Sequence, residues 1–311
     1  MNRILQHTGA RYPIIQAPMG WIARSALASA VSNAGGLGII ETSSGEIDIV
    51  KAEIQKMRTL TKNPFGVNLP ILFLKDDSIV DWIAEQGIRF VTTSAGSPGK
   101  YLARLKQAGI VVYHAVPTVK AALKAVEAGV DGLVVEGAEG GGFKNPEEVS
   151  TLVLLQAIRD QVDVPMVAAG GIADGRGMAA AFACGAEAVQ MGTRFVSSAE
   201  SPVHVNYKNA IVAAAETDTV VLNKKASPCI RALKTELTKG IAEAGVMPPD
   251  VLKNVLDVYF GGNMEASPAL AGQAAALIHE IRSVGQVIED TVAGFHAAAA
   301  RMGALAAAGT F

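Results

Sequence analysis

The sequence has little charge and almost no cysteine. Only 18% of its 311 residues are charged and the net charge is −2, so the composition does not favour a nucleic-acid partner. The two cysteines, Cys184 and Cys229, form no CxxC motif and have no histidine cluster beside them. We therefore expect two reduced thiols in a cytoplasmic protein, rather than a disulfide or a metal site.

Long hydrophobic runs are also lacking. The N-terminal residues contain no apolar core of the length that a signal peptide needs, and the Ala-rich tail from Val292 to Phe311 is interrupted by His296 and Arg301. We interpret this tail as a helix packed on the body of the protein, and we expect no membrane association.

Short apolar runs are abundant, and each is followed by a helical pattern. Eight of them occur before residue 200, at 13–20, 36–41, 64–69, 88–96, 110–116, 130–142, 164–172 and 186–195. Apolar strands that alternate with helices are typical of a parallel sheet buried on both faces, and eight such units predict an α/β fold, the (β/α)₈ TIM barrel. The alternative is an open doubly wound sheet, which would need a GxGxxG motif after its first strand, and QAPMGW is not that motif.

The strand–helix rhythm ends after residue 195. We predict that residues 1–200 form the barrel and that residues 201–285 form a smaller, mostly helical cap over its C-terminal mouth, because this segment is too long for a barrel loop. Residues 286–311 are predicted to return as a helix that completes the barrel.

The ends of the predicted strands carry small residues and amides, with little charge. Clustered acids and histidines are missing there, so we predict no metal site. Strands seven and eight end in glycine-rich loops that contain Gly170, Gly171, Gly192 and Thr193. Glycines let backbone N–H groups approach phosphate oxygens, so these loops predict a phosphate site, although glycines that only form tight turns are the alternative.

Strand six ends in EGAEGGGF, residues 136–143, which we expect to leave the strand as a loop. A flat ring system held by its phosphate at strands seven and eight would lie beside this loop, and Gly140, Gly141 and Gly142 would give it room. Asn68 and Gln190 are amides suited to ring heteroatoms.

Several segments resemble the nitronate monooxygenase family and its close relative, the FMN-dependent enoyl-acyl-carrier-protein reductase II. They are PIIQAPMGWI, NAGGLGII, PFGVNL, EGAEGGG, AAGGIADGRGMAAAFACGAEAVQMGTRF, NYK and SPALAGQAAALI, and together they cover nearly the whole chain. The resemblance implies a barrel with a helical second domain and a non-covalent FMN. With the phosphate loops and the two amides, it implies FMN contacts at Ala17, Pro18, Met19, Asn68, Glu136, Gly141, Gly170, Gly171, Gln190, Gly192, Thr193 and, from the cap, Gln273.

One position departs from the family pattern. The relatives read EAGGH at strand six and use the histidine as catalytic acid or base, whereas residues 139–143 here end in Phe143. Phenylalanine transfers no proton, so C–H abstraction from a neutral nitroalkane and protonation of an enoyl intermediate are both in doubt.

Other side chains near the predicted mouth are candidates for a role. His114 and Ser94 are candidate catalytic residues, and each has a structural alternative. Lys144 is suited to an anionic substrate, but loop lysines are commonly exposed. We interpret Glu139 as a carboxylate that orients its loop and His204 as a residue that positions the cap.

Together these features predict an FMN-dependent oxidoreductase that oxidises alkyl nitronates with O₂, since a nitronate is already an anion and needs no base. The alternatives are an NAD(P)H-dependent reductase of a quinone or enoyl substrate and a flavin-binding protein without turnover. The expected partner is a small molecule. No dinucleotide fingerprint is present, so use of NAD(P)H is left open, as is an oligomeric state.

Overall fold

The computed structural model describes residues 2–309, and its body is a barrel of eight parallel strands. The barrel strands are β1 (Ile14–Gln16), β2 (Gly38–Ile40), β3 (Phe65–Pro70), β4 (Phe90–Ser94), β5 (Val111–Val116), β6 (Gly132–Glu136), β8 (Met166–Ala169) and β9 (Ala188–Met191), and β7 (Gly142–Lys144) lies outside it. The helices of the barrel are α1 (Arg3–Thr8), α2 (Ser25–Asn33), α3 (Ile47–Leu60), α4 (Ser78–Glu85), α5 (Gly99–Gln107), α6 (Val119–Ala128), α7 (Thr151–Arg159), α8 (Gly175–Ala183) and α9 (Thr193–Val196).

The barrel is closed between β1 and β2. The N–H of Gln16 donates to the C=O of Leu37 at 3.0 Å, and the N–H of Leu37 donates to the C=O of Ile14 at 2.9 Å. The buried side chain of Gln16 adds hydrogen bonds to the C=O and the N–H of Ile39, each 3.2 Å long. These bonds confirm the predicted (β/α)₈ barrel.

Alternation along the strands separates two apolar cores. Residues that point inward, such as Phe90, Tyr113 and Val167, form a core inside the barrel, and Ile4 of α1 closes that core from below. Residues of the opposite parity pack against the surrounding helices in a second, larger core. The C-terminal end of the barrel is therefore left as the end where a ligand can enter.

The cap contains a small sheet as well as helices. Its elements are α10 (Val205–Val212), β10 (Thr219–Leu222), β11 (Cys229–Leu233), α11 (Glu236–Ala244), a π-helix (Asp257–Gly261) and a 3₁₀-helix (Gln273–Leu277). The sheet is antiparallel in the order β10–β11–β7, so the segment after β6 supplies one of its strands. The predicted loop was wrong at Gly142–Lys144, because β11 gives these residues a hydrogen-bonding partner that lies far away in sequence.

The chain ends in α12 (Val284–Ala307), whose first half packs on α8 and α2 of the barrel through Val284, Val287, Ile288 and Thr291. The prediction that the whole tail packs on the body was wrong, because residues 299–309 of the tail are exposed. The first turn of α12 is capped by Ser283, whose hydroxyl accepts from the N–H of Gln286, so the helix begins two residues before its predicted start. Residues 1, 310 and 311, which the predicted ranges include, lie outside the described residues. Within residues 2–309, no helix has both the length and the apolar character of a membrane span.

Candidate active site

A cavity of about 780 Å³ lies at the C-terminal ends of the strands, between the barrel and the cap. This volume is within the range of cofactor and substrate sites, about 300–1,000 Å³. The residues predicted from the sequence that line it are Ala17, Pro18, Met19, Asn68, Ser94, His114, Glu136, Gly141, Phe143, Gly170, Gly171, Gln190, Gly192 and Thr193. Gln273 is exposed and does not line the cavity; its backbone N–H donates to the C=O of Glu139 at 2.9 Å.

The ends of β8 and β9 present backbone donors. Gly171 has φ +73°, in the left-handed region that favours glycine. Among the described residues, no protein group accepts from the N–H of Gly171 or of Gly192. The hydroxyl oxygen of Thr193, beside them, accepts from the N–H of Gly272 at 2.9 Å and so joins this end of the cavity to the cap. Free N–H groups in two adjacent loops fit the phosphate of a cofactor.

Two amides lie on the cavity wall. The Nδ2 of Asn68 donates to the C=O and the hydroxyl of Thr92, at 3.2 and 3.0 Å, which fixes the orientation of the amide. Its Oδ1 has no donor among residues 2–309 and can accept from a ring N–H. Gln190 lines the cavity from β9, on the other side of β1 and β2 from Asn68. The phosphate donors and the amides together fit FMN.

The glycine at 141 is required by contacts with backbone atoms of the cap, whereas the glycine at 140 lies against the ends of two flexible side chains. A Cβ on Gly141 would lie 2.6 Å from the carbonyl carbon of Ala271 and 2.7 Å from the nitrogen of Gly272. A Cβ on Gly140 would lie 2.6 Å from Nζ of Lys144. Our expectation that a side chain at Gly141 would meet the cofactor is therefore wrong, because the cap backbone occupies that space.

Lys144 is not an exposed lysine, although it lies in a segment that the sequence predicts to be a loop. Its side chain is only 5% exposed, and its ammonium forms an ion pair with the carboxylate of Glu136 inside the cavity. The sequence alone could not show this, since the burial depends on the pairing of β7 with β11.

Phe143 lies at the mouth of the cavity. Its side chain is 48% exposed and packs against Phe73, which follows β3. The position at which the family resemblance implies a histidine is therefore apolar and half open to solvent.

His114 is a buried imidazole that borders the cavity. Its Nδ1 lies 2.8 Å from the hydroxyl of Thr93, and burial lowers the pKa of His114 to about 4. Tyr113 and Ala115, its neighbours on β5, face the core inside the barrel, so alternation turns His114 toward the helices. An imidazole with so low a pKa is neutral at pH 7 and a poor general base.

The interpretation of Glu139 is confirmed. The carboxylate of Glu139 accepts from the N–H and the hydroxyl of Thr151, both at 2.9 Å, and so fixes the loop to the first turn of α7. The Nδ1 of His204 accepts from the N–H of Asn206 at 3.1 Å and so caps the start of α10, while a role of His204 in positioning the cap stays a prediction.

Arg231 is a site-supporting residue that the sequence analysis missed. It is buried on β11, and its Nε donates to the C=O of Ala138 at 2.8 Å. Its guanidinium also contacts the carboxylate of Glu148 at 3.3 Å, so it holds both ends of the loop after β6. No local pattern marks it, because both contacts join residues more than 80 positions apart.

The barrel, the free donors of its last two loops and the amides on its wall define the class of TIM-barrel flavoenzymes. The profile of the nitronate monooxygenase family matches residues 2–86 and 73–294 of the chain. The chain belongs to the nitronate monooxygenase family.

Two relatives differ in their named reactions. The chain is 32% identical to the nitronate monooxygenase of Pseudomonas aeruginosa, over 90% of this chain and 95% of that enzyme. It is 38% identical to the (3aS,4S,5R,7aS)-5-hydroxy-7a-methyl-1-oxo-octahydro-1H-indene-4-carboxyl-CoA dehydrogenase of Rhodococcus jostii, over 77% of this chain and 67% of that enzyme. The chain thus spans about two thirds of the length of the dehydrogenase.

Solved structures agree with this assignment. FabK from Thermotoga maritima has a TM-score of 0.93 and 40% identity, with 97% of this chain and 98% of that chain covered. Nitroalkane oxidase from Streptomyces ansochromogenes has a TM-score of 0.82 and 26% identity, with 96% and 99% covered. The protein is therefore a flavin-dependent oxidoreductase, and FMN is the flavin that its family implies.

Proposed function

We propose that the protein oxidises alkyl nitronates, with FMN as the electron acceptor and O₂ as the final oxidant. The observation that carries this proposal is Phe143 at the mouth of the cavity, where the family resemblance implies a histidine. A neutral nitroalkane must lose a proton from carbon before it can be oxidised, and phenylalanine cannot accept one. A nitronate has already lost that proton.

Three ionisable groups near the strand ends of the cavity support the same substrate. Glu136 is paired with Lys144, Glu139 is bonded to Thr151, and His114 is held neutral. The two carboxylates are thus engaged with partners in the protein, and His114 is a poor proton acceptor. The chain's residues therefore bind and orient a substrate better than they would deprotonate it.

FMN supplies the redox chemistry when it is bound. The backbone N–H groups of Gly171 and Gly192 would hold its phosphate, and the Oδ1 of Asn68 would accept from its ring. The segment from Ala17 to Met19 lies on the cavity wall between these groups and would pass beside the ring.

A second candidate is NAD(P)H-dependent reduction of a quinone or enoyl substrate. It is favoured by the apolar mouth, where Phe73 and Phe143 are 44% and 48% exposed. The high similarity to FabK, an enoyl-acyl-carrier-protein reductase II, points the same way. A quinone would be reduced without proton transfer to carbon, so it too is compatible with the missing histidine.

Anaerobic stopped-flow mixing separates these functions. The FMN-loaded protein is mixed in one experiment with ethylnitronate and in another with NADH or NADPH, and the loss of oxidised-flavin absorbance is followed. Fast reduction by the nitronate alone, with O₂ consumption in air, supports the proposal. Reduction by NAD(P)H alone supports the second candidate, and no reduction by either leaves a flavin-binding protein without turnover.

A further inference from the structure

Strand β7 directs two neighbouring side chains to opposite sides. It pairs with β11 in the register Phe143 to Ile230 and Lys144 to Cys229. Successive side chains of a strand point to opposite faces. Phe143 is accordingly 48% exposed at the mouth, and the side chain of Lys144 is 5% exposed within the cavity lining.

The ammonium of Lys144 has more donors than partners. It carries three N–H groups, and the described residues give it one acceptor, the carboxylate of Glu136. Burying an ammonium group is costly unless its charge is paired and its donors are used. The remaining N–H groups of Lys144 are therefore available to an acceptor that enters the cavity.

The ion pair lies directly against the backbone of Gly140. A Cβ at Gly140 would lie 2.6 Å from Nζ of Lys144 and 2.7 Å from Oε1 of Glu136. Glu136 is fixed at the end of β6, in register with Ala169 of β8. The ammonium thus stands over the barrel mouth, near the loops that would hold the cofactor.

We propose that the ammonium of Lys144 is the substrate-binding cation of this site and takes the planar oxyanion of the substrate, with Glu136 as its positioning partner. Charge-assisted hydrogen bonds to an oxyanion are short and strong, and the two nitronate oxygens match the two remaining donors. The ammonium then makes the site bind the nitronate anion more tightly than the neutral nitroalkane. This preference suits a site that has no base at position 143. This inference rests on the proposed function for the identity of its substrate.

Nitrate tests the binding site without turnover, because it is a planar anion with negatively charged oxygens on nitrogen, as a nitronate is. It is titrated into FMN-loaded wild type, Lys144→Met, Lys144→Arg and the double variant Lys144→Met/Glu136→Gln, and the perturbation of the flavin spectrum gives the dissociation constant. The double variant keeps the net charge of the wild type, so a loss of affinity there reflects the missing ammonium. Lys224→Met is the matched control, since Lys224 is ion-paired with Glu148 but does not line the cavity.

We expect the nitrate dissociation constant to rise ~10-fold or more in Lys144→Met and in the double variant, because each removes a hydrogen-bonded charge. Lys144→Arg should retain part of the affinity, and Lys224→Met should bind as the wild type does. The dissociation constant of FMN, measured on the same proteins, should stay within about twofold.

Three results would overturn the inference: nitrate that fails to bind the wild type, nitrate that binds Lys144→Met equally well, or Lys144 variants that lose FMN, which would make the residue a cofactor anchor. The two proposals can fail separately. Nitrate binding through Lys144 without oxidation of ethylnitronate would keep the binding site and reject the proposed function. Equal kcat/KM for ethylnitronate in wild type and Lys144→Met would keep the function and reject the role of Lys144.

Discussion

Phe143 packs against Phe73 at the mouth of the cavity, with ring centroids 5.5 Å apart and ring planes inclined by 33°. Phe73 belongs to the segment after β3 and Phe143 to the cap strand β7, so this contact joins the barrel to the cap sheet. An aromatic pair of this kind contributes ~0.5–1.5 kcal/mol beyond the area that it buries. Phe143 thus has a packing role at the entrance.

Replacing Phe143 with histidine should restore the missing base. We expect Phe143→His to raise kcat/KM for a neutral nitroalkane relative to that for its nitronate by ~10²-fold, the usual contribution of a positioned proton acceptor. Steady-state kinetics on nitroethane and ethylnitronate measure this ratio. Phe143→Leu is the control, since it also loses the contact with Phe73 but gains no proton acceptor. A wild type that already oxidises nitroethane well would reveal another base and contradict the reasoning.

The phosphate site at the end of β8 is tested by a pair of glycines with the same backbone conformation. Gly171 has φ +73° and lines the cavity, whereas Gly87 has φ +68° and ends a helix with no atom within 4 Å of a new Cβ. A left-handed conformation costs any L-residue ~1–2 kcal/mol, so Gly171→Leu and Gly87→Leu should lose similar stability. Only Gly171→Leu should also lose FMN, because its side chain competes for the phosphate space. The measurements are thermal unfolding of the FMN-free protein and FMN titration, and full FMN affinity in Gly171→Leu would place the phosphate elsewhere.

The barrel could be predicted from the sequence because each of its units is local. An apolar strand, a helix and a glycine recur within about 20 residues. The order of these units is therefore enough to predict where each strand ends and which side chains lie at the mouth of the barrel. Fourteen predicted residues, from Ala17 to Thr193, line one cavity for this reason. The contacts made by the cap are not local. The strand at Gly142–Lys144 exists because β11 pairs with it, and that pairing decides that Phe143 is exposed and Lys144 buried.

The close approach at Gly141 predicts a loss of stability that does not depend on the cofactor. Gly141→Ala should lower the stability of the FMN-free protein, because its methyl group would overlap the backbone of Ala271 and Gly272. Overpacking of this kind costs ~1–3 kcal/mol. Gly240→Ala is the matched control: it lies inside α11 with no atom within 4 Å of a new Cβ, and should gain ~0.5–1 kcal/mol. Urea unfolding of both variants checks the opposite signs, and a Gly141→Ala protein that is as stable as the wild type would show that the cap segment shifts freely.

The buried imidazole of His114 predicts a dependence of stability on pH. Its pKa in the folded protein is about 4, below the ordinary value of 6.5, so between these values the unfolded chain binds more protons than the folded one. Above pH 6.5 the imidazole is neutral in both states and does not change the stability. As the pH falls from 6.5 toward 4, the unfolded chain takes up a proton that the folded protein does not, and the free energy of unfolding decreases. The loss amounts to ~3 kcal/mol at most, since one pKa unit corresponds to 1.36 kcal/mol.

His114→Asn should remove this dependence while keeping a polar partner for Thr93. The variant is expected to be less stable at pH 7, so the quantity to compare is the slope of the unfolding free energy between pH 7 and pH 4.5, measured in urea. That slope should be shallower in His114→Asn than in the wild type. His296→Asn, at an exposed position on α12, should keep the wild-type slope. Equal slopes in all three proteins would mean that His114 accepts a proton in the folded state, and it would then return as a candidate base beside the cavity.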